Sequence, residues 1–467
     1  MNIKKVIFFS LGPLFTALVG LLTLPVMAWL YSSDEIARYA LIQVLVSATL
    51  LLFTLGLDQA FVREYHDAPN KDDFIISLGL PGLLLLLVTL ALSSVLGDEI
   101  LNGWFGSAPE LGFVLVSVIL VANYVIRFLQ IDSRMKGRAL LFSFVQVLPR
   151  LLFLLFVLGA YFTQQDASFQ GILIGYSSAY VVAVFVALWL VVRPLSNLGP
   201  SHFDGQLTRR VLGYSLPLVV AGFAYWGLTS IDKILLRDLM GLEPLAVYSM
   251  AVNFAGAAII FQQVFSTIWA PAVYRMHSEN VEITVFETLI EIVRNAILLV
   301  VALVLLLKFV VAYLLPPQYF EVQYLLSSCM IAPLLYTLSE CSKIGIGITR
   351  KTLYTVMASL GSIVVALGLN YWFIPMWGAA GASVATMLAF YAFYILRSEF
   401  SRWVWKPVCS RFDYLVVLGV VAIAATDTLY QELSFWWVQA AALGLLLFSL
   451  GSFFRHRKVY IQALKSR

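Results

Sequence analysis

Long apolar segments alternate with short polar segments along the whole chain, and this pattern predicts membrane-spanning helices. The first segment, residues 6–31, contains no charged residue. A helix needs about 20 apolar residues to cross the hydrocarbon of a bilayer, and a helix satisfies its own backbone groups there. The thirteenth predicted segment is the weakest, because it is short and Asp427 closes it. The pattern predicts fourteen spans, at residues 6–31, 38–60, 74–96, 109–131, 139–162, 169–192, 211–236, 244–270, 286–314, 322–347, 352–374, 378–397, 413–428 and 434–454.

The composition supports an all-α polytopic membrane protein. Hydrophobic residues form 61% of the chain and charged residues only 12%, whereas large soluble chains divide into domains with charged exteriors. Cys329, Cys341 and Cys409 have neither metal nor disulfide spacing. The sequence has no phosphate-binding loop, dinucleotide fingerprint or zinc-protease helix. We therefore expect neither an enzyme nor a resident cofactor.

Basic residues are concentrated in alternate loops, which predicts the orientation of the chain. Both termini are expected in the cytoplasm, and the first apolar segment is too long for a signal peptide and is expected to be retained. The net charge of +4 arises in these loops and does not indicate nucleic-acid binding. The loops placed inside include Lys4, Lys5, Arg63, Lys71, Arg134, Lys136, Arg138, Arg455 and Arg457. The loops placed outside carry mainly acids, among them Asp34, Asp98, Glu99, Glu110 and Asp166.

The two halves of the chain resemble each other, which predicts a parallel internal repeat. Tyr39 near the start of the second span has a counterpart in Tyr248, 209 positions later, and Gly159 has a counterpart in Gly368 at the same offset. Six spans per copy give both copies the same orientation, a design that transporters use, with two lobes around a midplane cavity. The predicted domains are an N-lobe at 1–200, a C-lobe at 201–397 and an added helix pair with a basic tail at 398–467.

Arg150 is the most informative single residue. It lies about 11 residues into the fifth span, near the expected midplane, after Pro149 and one turn after Gln146. An arginine there is costly unless it faces protein or water. Two interpretations stay open: a cation that lines a cavity, or a buried pair with a carboxylate or with helix carbonyls.

Further polar and aromatic residues at membrane depth are candidates for the same cavity or for coupling and gating. The uncharged groups have a structural alternative in hydrogen bonds to neighbouring helices, and the aromatic pair can pack instead of stacking on a sugar. The cavity candidates are Arg294, Lys308, Asn123, Tyr124, Gln146, Asn253, Gln262, Tyr225 and Trp226. The candidates for coupling or gating are Asp58, Asp232, Lys233, Glu291 and Glu340.

The charged candidates also have structural alternatives. Glu291 with Arg294, and Glu340 with Lys343, are three residues apart, a spacing that favours pairs within one helix. Lys308 and Arg127 lie near span ends and are expected to snorkel to the interface. Asp232 and Lys233 close the seventh span, where an interfacial position explains them.

Five short motifs occur in a characteristic order over most of residues 1–397, and in them the chain resembles the polysaccharide-unit (Wzx-type) flippases of the multidrug/oligosaccharidyl-lipid/polysaccharide exporter superfamily. The motifs are Leu55-Gly56-Leu57, Tyr214-Ser215-Leu216-Pro217, Ser230-Ile231-Asp232-Lys233 with Tyr248, Trp269-Ala270-Pro271 with Tyr274, and Asn370-Tyr371-Trp372-Phe373-Ile374-Pro375 running into Gly378-Ala379-Ala380-Gly381.

The resemblance implies that the substrate is an undecaprenyl-diphosphate-linked oligosaccharide, an O-antigen or related surface polysaccharide unit. It would move from the cytoplasmic to the periplasmic leaflet of the bacterial inner membrane by alternating access, with cavity cations meeting the diphosphate. The implied partners are the bilayer, a polysaccharide polymerase and chain-length proteins. Coupling to H⁺ or Na⁺ stays open.

Three alternatives were weighed against this interpretation. A lipid II flippase of the same superfamily is expected to carry arginines in its first helices, and the first span has none. A multidrug cation antiporter is expected to place a carboxylate deep in the N-lobe, where Asp58 is the nearest acid. An O-antigen polymerase or ligase carries a large periplasmic loop, and every predicted outer loop is short.

Overall fold

The computed structural model describes residues 3–65, 71–162, 167–192, 203–279, 281–431 and 435–465. Within these ranges all regular secondary structure is helical, which confirms the all-α prediction. The chain divides into two compact units, Met1–Trp226 and Gly227–Arg467. The predicted lobe boundary at residues 200 and 201 lies outside the described ranges.

The first unit is a bundle in which α7 packs against α1 and α8, and α6 packs against α8. Its core joins Leu57 and Phe61 to Phe74, Tyr124 and Phe128. Its helices are α1 (Ile3–Leu30), α2 (Ser33–Phe53), α3 (Leu57–Glu64), α4 (Lys71–Ser93), α5 (Gly97–Phe105), α6 (Gly112–Met135), α7 (Ala139–Phe162), α8 (Phe169–Val192) and the first part of α9 (Gly205–Met240).

The second unit is built around one buried helix, α13 (Val322–Ser342), in which every residue except Tyr336 is buried. A helix without an exposed face must be surrounded on all sides, and α13 packs mainly against α10, α11, α15 and α16. The other helices are α10 (Leu242–Ser278), α11 (Ile283–Leu307), α12 (Phe309–Leu314), α14 (Ile344–Ile348), α15 (Leu353–Val404), α16 (Arg411–Tyr430) and α17 (Phe435–Lys465).

Each of the fourteen predicted spans lies in helical segments of this structure. Eleven helices in the described ranges are long and apolar enough to cross a membrane. One of them, α15, contains the eleventh and twelfth predicted spans, which meet at Gly378 where φ is 54° and ψ is −127°. The seventh and fourteenth predicted spans lie in α9 and α17. The fifth and sixth predictions, 139–162 and 169–192, coincide with α7 and α8.

Three predicted spans are interrupted, so the prediction of one continuous helix was wrong for each of them. The second breaks after α2, because Leu55 and Gly56 adopt left-handed φ values of 53° and 68°. A Cβ on Gly56 would lie 2.6 Å from the Ser215 carbonyl oxygen, so the position favours glycine over residues that carry a Cβ. The ninth prediction divides at Lys308 into α11 and α12, and the tenth divides at Lys343 into α13 and α14.

The thirteenth span is longer than predicted. Its helix α16 has 20 residues and begins with a capping box, in which the Asp413 carboxylate accepts from the Ser410 backbone N–H at 3.0 Å. Asp427 lies inside the helix and does not end it. We find α16 packed against α13 and α15, and α17 packed against α11.

Candidate functional site

The most extensive helix contact in the first unit is the seam between α1 and α7. Gly12 lets the backbones approach, since a Cβ there would lie 2.6 Å from Gln146 Oε1 and 2.9 Å from Ser143 Cα. The Gly12 backbone N–H donates to Ser143 Oγ at 3.0 Å. Small residues and a hydroxyl therefore hold this part of the seam, in the manner common for membrane helices.

Arg150 lies two turns further along α7 on the same seam. Its Nη1 donates to the Thr16 carbonyl of α1 at 3.3 Å, and Gly20 leaves room for the guanidinium, since a Cβ there would lie 3.2 Å from Nη1. The side chain is exposed in the absence of a membrane. Among the described residues, no carboxylate forms an ion pair with Arg150.

A cluster of aromatic residues faces the same charge. The Tyr39 ring stacks on Phe153 with centroids 5.2 Å apart, and Tyr176 meets both rings edge-on at 5.6 and 5.0 Å. The Tyr176 hydroxyl donates to the Tyr180 hydroxyl at 3.3 Å. Phe153 follows Arg150 by three residues on α7, a spacing that places the cluster on the Arg150 side of that helix.

Sequence reasoning missed Tyr176 and Tyr180 as site residues. The available signal was their spacing of four, which places two hydroxyls on one face of a helix. Tyr39 was used only as a marker of the repeat.

Gln146 completes this group, one turn before Arg150. Its Oε1 is buried and has no hydrogen-bond partner among the described residues. An unsatisfied acceptor of this kind calls for an explanation, such as a ligand or a bound water. We call Gln146, Arg150, Tyr39, Tyr176 and Tyr180 the Arg150 cluster.

Asn123 and Tyr124 are turned into the protein. Asn123 Nδ2 donates to the Ile119 carbonyl of its own helix at 2.8 Å, and the Tyr124 hydroxyl donates to the Gly79 carbonyl of α4 at 2.8 Å. Both side chains are buried. Asn123 thus bonds within α6, and Tyr124 links α6 to α4.

The aromatic pair in α9 is half-buried. Trp226 Nε1 donates to Ser47 Oγ of α2 at 3.0 Å, and its ring meets Phe223 edge-on at 6.0 Å. Tyr225 is half-buried as well. The structure thus gives Trp226 a protein partner.

Asn253 and Gln262 are half-buried residues of α10. Asn253 Nδ2 has no partner among the described residues. The two residues are nine positions apart, which places them on opposite sides of a straight helix of about 3.6 residues per turn. They therefore do not share one face of α10.

Arg294 in α11 is held by carboxylates on two sides. Its guanidinium pairs with Asp413 of α16 and, at 3.3 Å, with Glu291 of its own helix. The pair with Glu291 was one of the predicted alternatives. The pair with Asp413 was not predicted.

Lys308 is buried rather than snorkelling. Its Nζ lies 2.5 Å from both oxygens of Asp427 in α16, and only 3% of its side chain is exposed. Ser327 of α13 donates to the same carboxylate at 2.5 Å. The snorkelling prediction was wrong because a carboxylate on a neighbouring helix neutralises the ammonium inside the protein.

Glu340 pairs with two cations at the end of α13. Lys343 Nζ lies 2.5 Å and Arg397 Nη2 2.8 Å from its Oε1, so the predicted pair with Lys343 is present and a second cation adds to it. Burial, together with the neighbouring Arg397, lowers the pKa of Lys343, which lies just past the end of α13, to about 8. Arg397 is buried over the Phe393 ring.

Asp58 and Arg127 form an ion pair between α3 and α6. Arg127 donates through Nη2 at 2.6 Å and Nε at 3.2 Å to Asp58 Oδ2. Arg127 was expected to snorkel to the interface, and its side chain is 43% exposed while it pairs with Asp58.

Asp232 is a buried carboxylate surrounded mainly by hydroxyl groups. The Tyr248 hydroxyl donates to Oδ2, and Thr386 Oγ1 donates to it at 3.0 Å. Lys233 Nζ is 3.7 Å from Oδ1 and donates to the Thr229 carbonyl at 3.1 Å. The residues of one sequence motif, Asp232 and Tyr248, thus meet in space.

Comparison with known proteins gives one matching family and several solved structures of similar fold. The sequence profile of the family described as "Polysaccharide biosynthesis protein" matches residues 3–277. A structure of the lipid II flippase MurJ in an inward closed conformation superposes with a TM-score of 0.69 and 14% identity, covering 97% of this chain and 100% of that one. An inward-facing multidrug resistance MATE family transporter of the MOP superfamily gives a TM-score of 0.62 and 16% identity, covering 86% and 94%. Curated protein sequences give no match. At these identities the structural likeness establishes a shared fold.

Proposed function

The chain belongs to the polysaccharide biosynthesis protein family, and on that premise we propose that it is a flippase for a lipid-linked oligosaccharide. The substrate is an undecaprenyl-diphosphate-linked repeat unit of O-antigen or a related surface polysaccharide. The protein moves it from the cytoplasmic to the periplasmic leaflet by alternating access and catalyses no covalent step.

Arg150 is the observation that carries this proposal. The other arginines at membrane depth in the described residues, Arg127, Arg294 and Arg397, each face a carboxylate. Arg150 faces a helix carbonyl instead. A guanidinium without a fixed counter-charge is available to a diphosphate, with which it forms charge-assisted, bidentate hydrogen bonds.

The rest of the Arg150 cluster suits the sugar part of the substrate. Gln146 Oε1 is an acceptor without a partner in the described residues, and the Tyr176 and Tyr180 hydroxyls both donate and accept. Sugar hydroxyls need acceptors and donors of this kind, and aromatic faces stack on sugar rings.

Asp232 is our candidate for ion coupling. Asp58, Glu291 and Glu340 face arginine or lysine at 3.3 Å or less, whereas the cation nearest Asp232 is Lys233 at 3.7 Å. A carboxylate with hydroxyl neighbours suits H⁺ or Na⁺. A membrane potential that is negative inside also favours outward movement of the anionic substrate, by about 2.3 kcal/mol per charge per 100 mV.

The proposed location is the bacterial inner membrane, with both termini in the cytoplasm. The expected partners are a polysaccharide polymerase and chain-length proteins, which act on the exported unit.

A lipid II flippase is the nearest competing function, because MurJ shares the fold. Residues 6–31 contain no charge, and Asp58, the acid weighed for a cation antiporter, is neutralised by Arg127. Both facts favour the oligosaccharide unit as the substrate.

The test is complementation of a deletion strain, with surface polymer and leaflet location of the lipid-linked unit as readouts. Arg150→Ala should lower export about 10- to 100-fold at normal membrane abundance, since a hydrogen bond to a charged group contributes about 1.5–3 kcal/mol. Arg150→Lys should retain part of the activity, because lysine keeps the charge but not the planar fork.

Arg275→Ala is the matched control, because Arg275 is 79% exposed and pairs with the exposed Glu279 just past the end of α10. Reconstituted vesicles containing a fluorescent prenyl-diphosphate sugar then separate transport from assembly, and Asp232→Asn should remove any response to an imposed H⁺ or Na⁺ gradient. Full export by Arg150→Ala at normal abundance would contradict the proposal.

A further inference from the structure

An apolar groove lies between α4, α6 and α8 of the first unit, apart from the Arg150 cluster. It has a volume of about 570 Å³ and thirteen lining residues, of which only Ser94 and Ser117 are polar and none is charged. This volume is within the range of about 300–1,000 Å³ typical of small-molecule sites. Its walls include Leu87, Leu90, Phe113, Val121, Val184 and Phe185.

All three helices of the groove belong to segments long and apolar enough to cross a membrane. Three of its lining residues, Leu87, Val114 and Phe185, are exposed, so the groove is open at the surface of these apolar helices, and a chain of methylene groups suits it. Hydrocarbon in a protein groove gains dispersion contacts with both walls that it lacks among mobile lipid tails.

One end of the groove is acidic. Ser94 and Phe113 mark this end, and a Cβ on Gly97 would lie 2.9 Å from the Phe113 ring, so the start of α5 abuts it. Asp98 and Glu99 follow Gly97 directly, and Glu110 precedes Phe113 by three residues.

These three carboxylates are exposed, and no cation pairs with them among the described residues. Arg38, which reaches α5, donates to the Phe105 carbonyl at 2.9 Å and pairs with Glu35 at 2.6 Å. The acidic end is thus left with a surplus of negative charge.

We propose that this groove binds one chain of a phospholipid with a primary ammonium headgroup, of the phosphatidylethanolamine type. The chain fills the apolar walls while the ammonium lies near Asp98, Glu99 and Glu110. The same charges repel anionic headgroups and a prenyl diphosphate, so the site discriminates against the transported lipid.

Native mass spectrometry of the full-length protein in detergent tests this, with phosphatidylethanolamine and phosphatidylglycerol of identical chains added in turn. Each exposed ion pair improves retention by a factor of about 1.4 to 5, so an ammonium near three carboxylates should be retained about three- to tenfold better. Neutralising the three carboxylates together, with Asp98→Asn, Glu99→Gln and Glu110→Gln, should remove this preference. Binding of the lipid chain in the groove should remain.

Filling the groove with Val118→Phe and Val184→Phe should remove one bound lipid, whereas Leu155→Phe on the exposed face of α7 should not. Equal retention of the two lipids by the native protein would overturn the proposal. So would an unchanged lipid count in the filled variants, stronger retention of undecaprenyl phosphate, or loss of a dimer on filling, which would identify a second copy as the occupant.

Discussion

Arg150 differs from the other cations at membrane depth in what lies beside its charge. Arg294 and Lys308 have aspartate partners on α16, and their charge is already compensated before any substrate arrives. Within the described part of the chain, Arg150 has a carbonyl dipole at 3.3 Å and no carboxylate partner. Keeping acids away from one arginine is therefore as important for anion recognition as supplying the arginine.

Gln146→Glu tests this point without touching Arg150. The new carboxylate would lie one turn before the guanidinium, at a spacing that favours an intrahelical pair. We expect export to fall about tenfold or more, at normal abundance, because the cation is then neutralised. Gln146→Leu is the control for loss of the amide alone, and export in Gln146→Glu equal to native would contradict the role given to a free charge.

The partners of these residues were harder to predict than the residues themselves. Arg150, Arg294 and Lys308 stand out because charge is rare at membrane depth. Asp413 lies 119 positions from Arg294, and no local rule connects the two. A subtler signal existed. Lys308 and Asp427 are also 119 positions apart, and they follow Arg294 and Asp413, respectively, by 14 residues.

Helices α11 and α16 are joined by these two ion pairs, which are about four turns apart on each helix. Equal spacing on both helices requires them to run parallel and in one fixed register. The two pairs therefore fix the register of α16 relative to α11, in addition to its packing against α13 and α15.

Removing one member of the buried Lys308–Asp427 pair should destabilise the protein more than removing both. Lys308→Met leaves Asp427 buried without a counter-charge, and such losses cost about 3–5 kcal/mol. Lys308→Met with Asp427→Leu should recover most of the stability. Thermal unfolding in detergent measures this, and Arg275→Ala, at the exposed pair, should leave the midpoint unchanged. A double variant no more stable than the single one would contradict the pairing argument.

The break between α2 and α3 depends on backbone conformation. Gly56→Ala should destabilise the protein by about 1–3 kcal/mol, because alanine disfavours positive φ and its Cβ would meet the Ser215 carbonyl. Gly159→Ala in α7 is the matched control, since a Cβ there meets nothing within 4 Å. If both variants unfold at the native temperature, the break is not fixed by Gly56.

Helix existence was predictable from hydropathy, whereas helix interruption was not. Apolar periodicity is continuous through Leu55 and through Lys308, so nothing local separates a straight span from a broken one. The break at Leu55 and Gly56 follows from close contact with Ser215, 159 positions beyond Gly56. Such contacts exist only after the chain has folded.

For the whole molecule the charge bias of the loops predicts an orientation. Reporter fusions after Lys71, Arg138, Arg210 and Arg350 should give cytoplasmic signals, and fusions near Asp98 and Asp166 should give periplasmic ones. A periplasmic signal from the C-terminal tail would mean that one predicted span does not cross, with α16 the first to examine.

The pairing of α11 with α16 also has a consequence for biosynthesis. Synthesis proceeds at about 5–20 residues per second. Roughly 100 residues separate Lys308 from Arg411, so α16 is begun on the order of 5–20 s after α11 is complete. During that interval Arg294 lacks Asp413 and Lys308 lacks Asp427. A chain that stops before α16 leaves Lys308 without its Asp427 partner and Arg294 with Glu291 alone, so an unfinished copy carries a cation in the membrane that the complete protein neutralises.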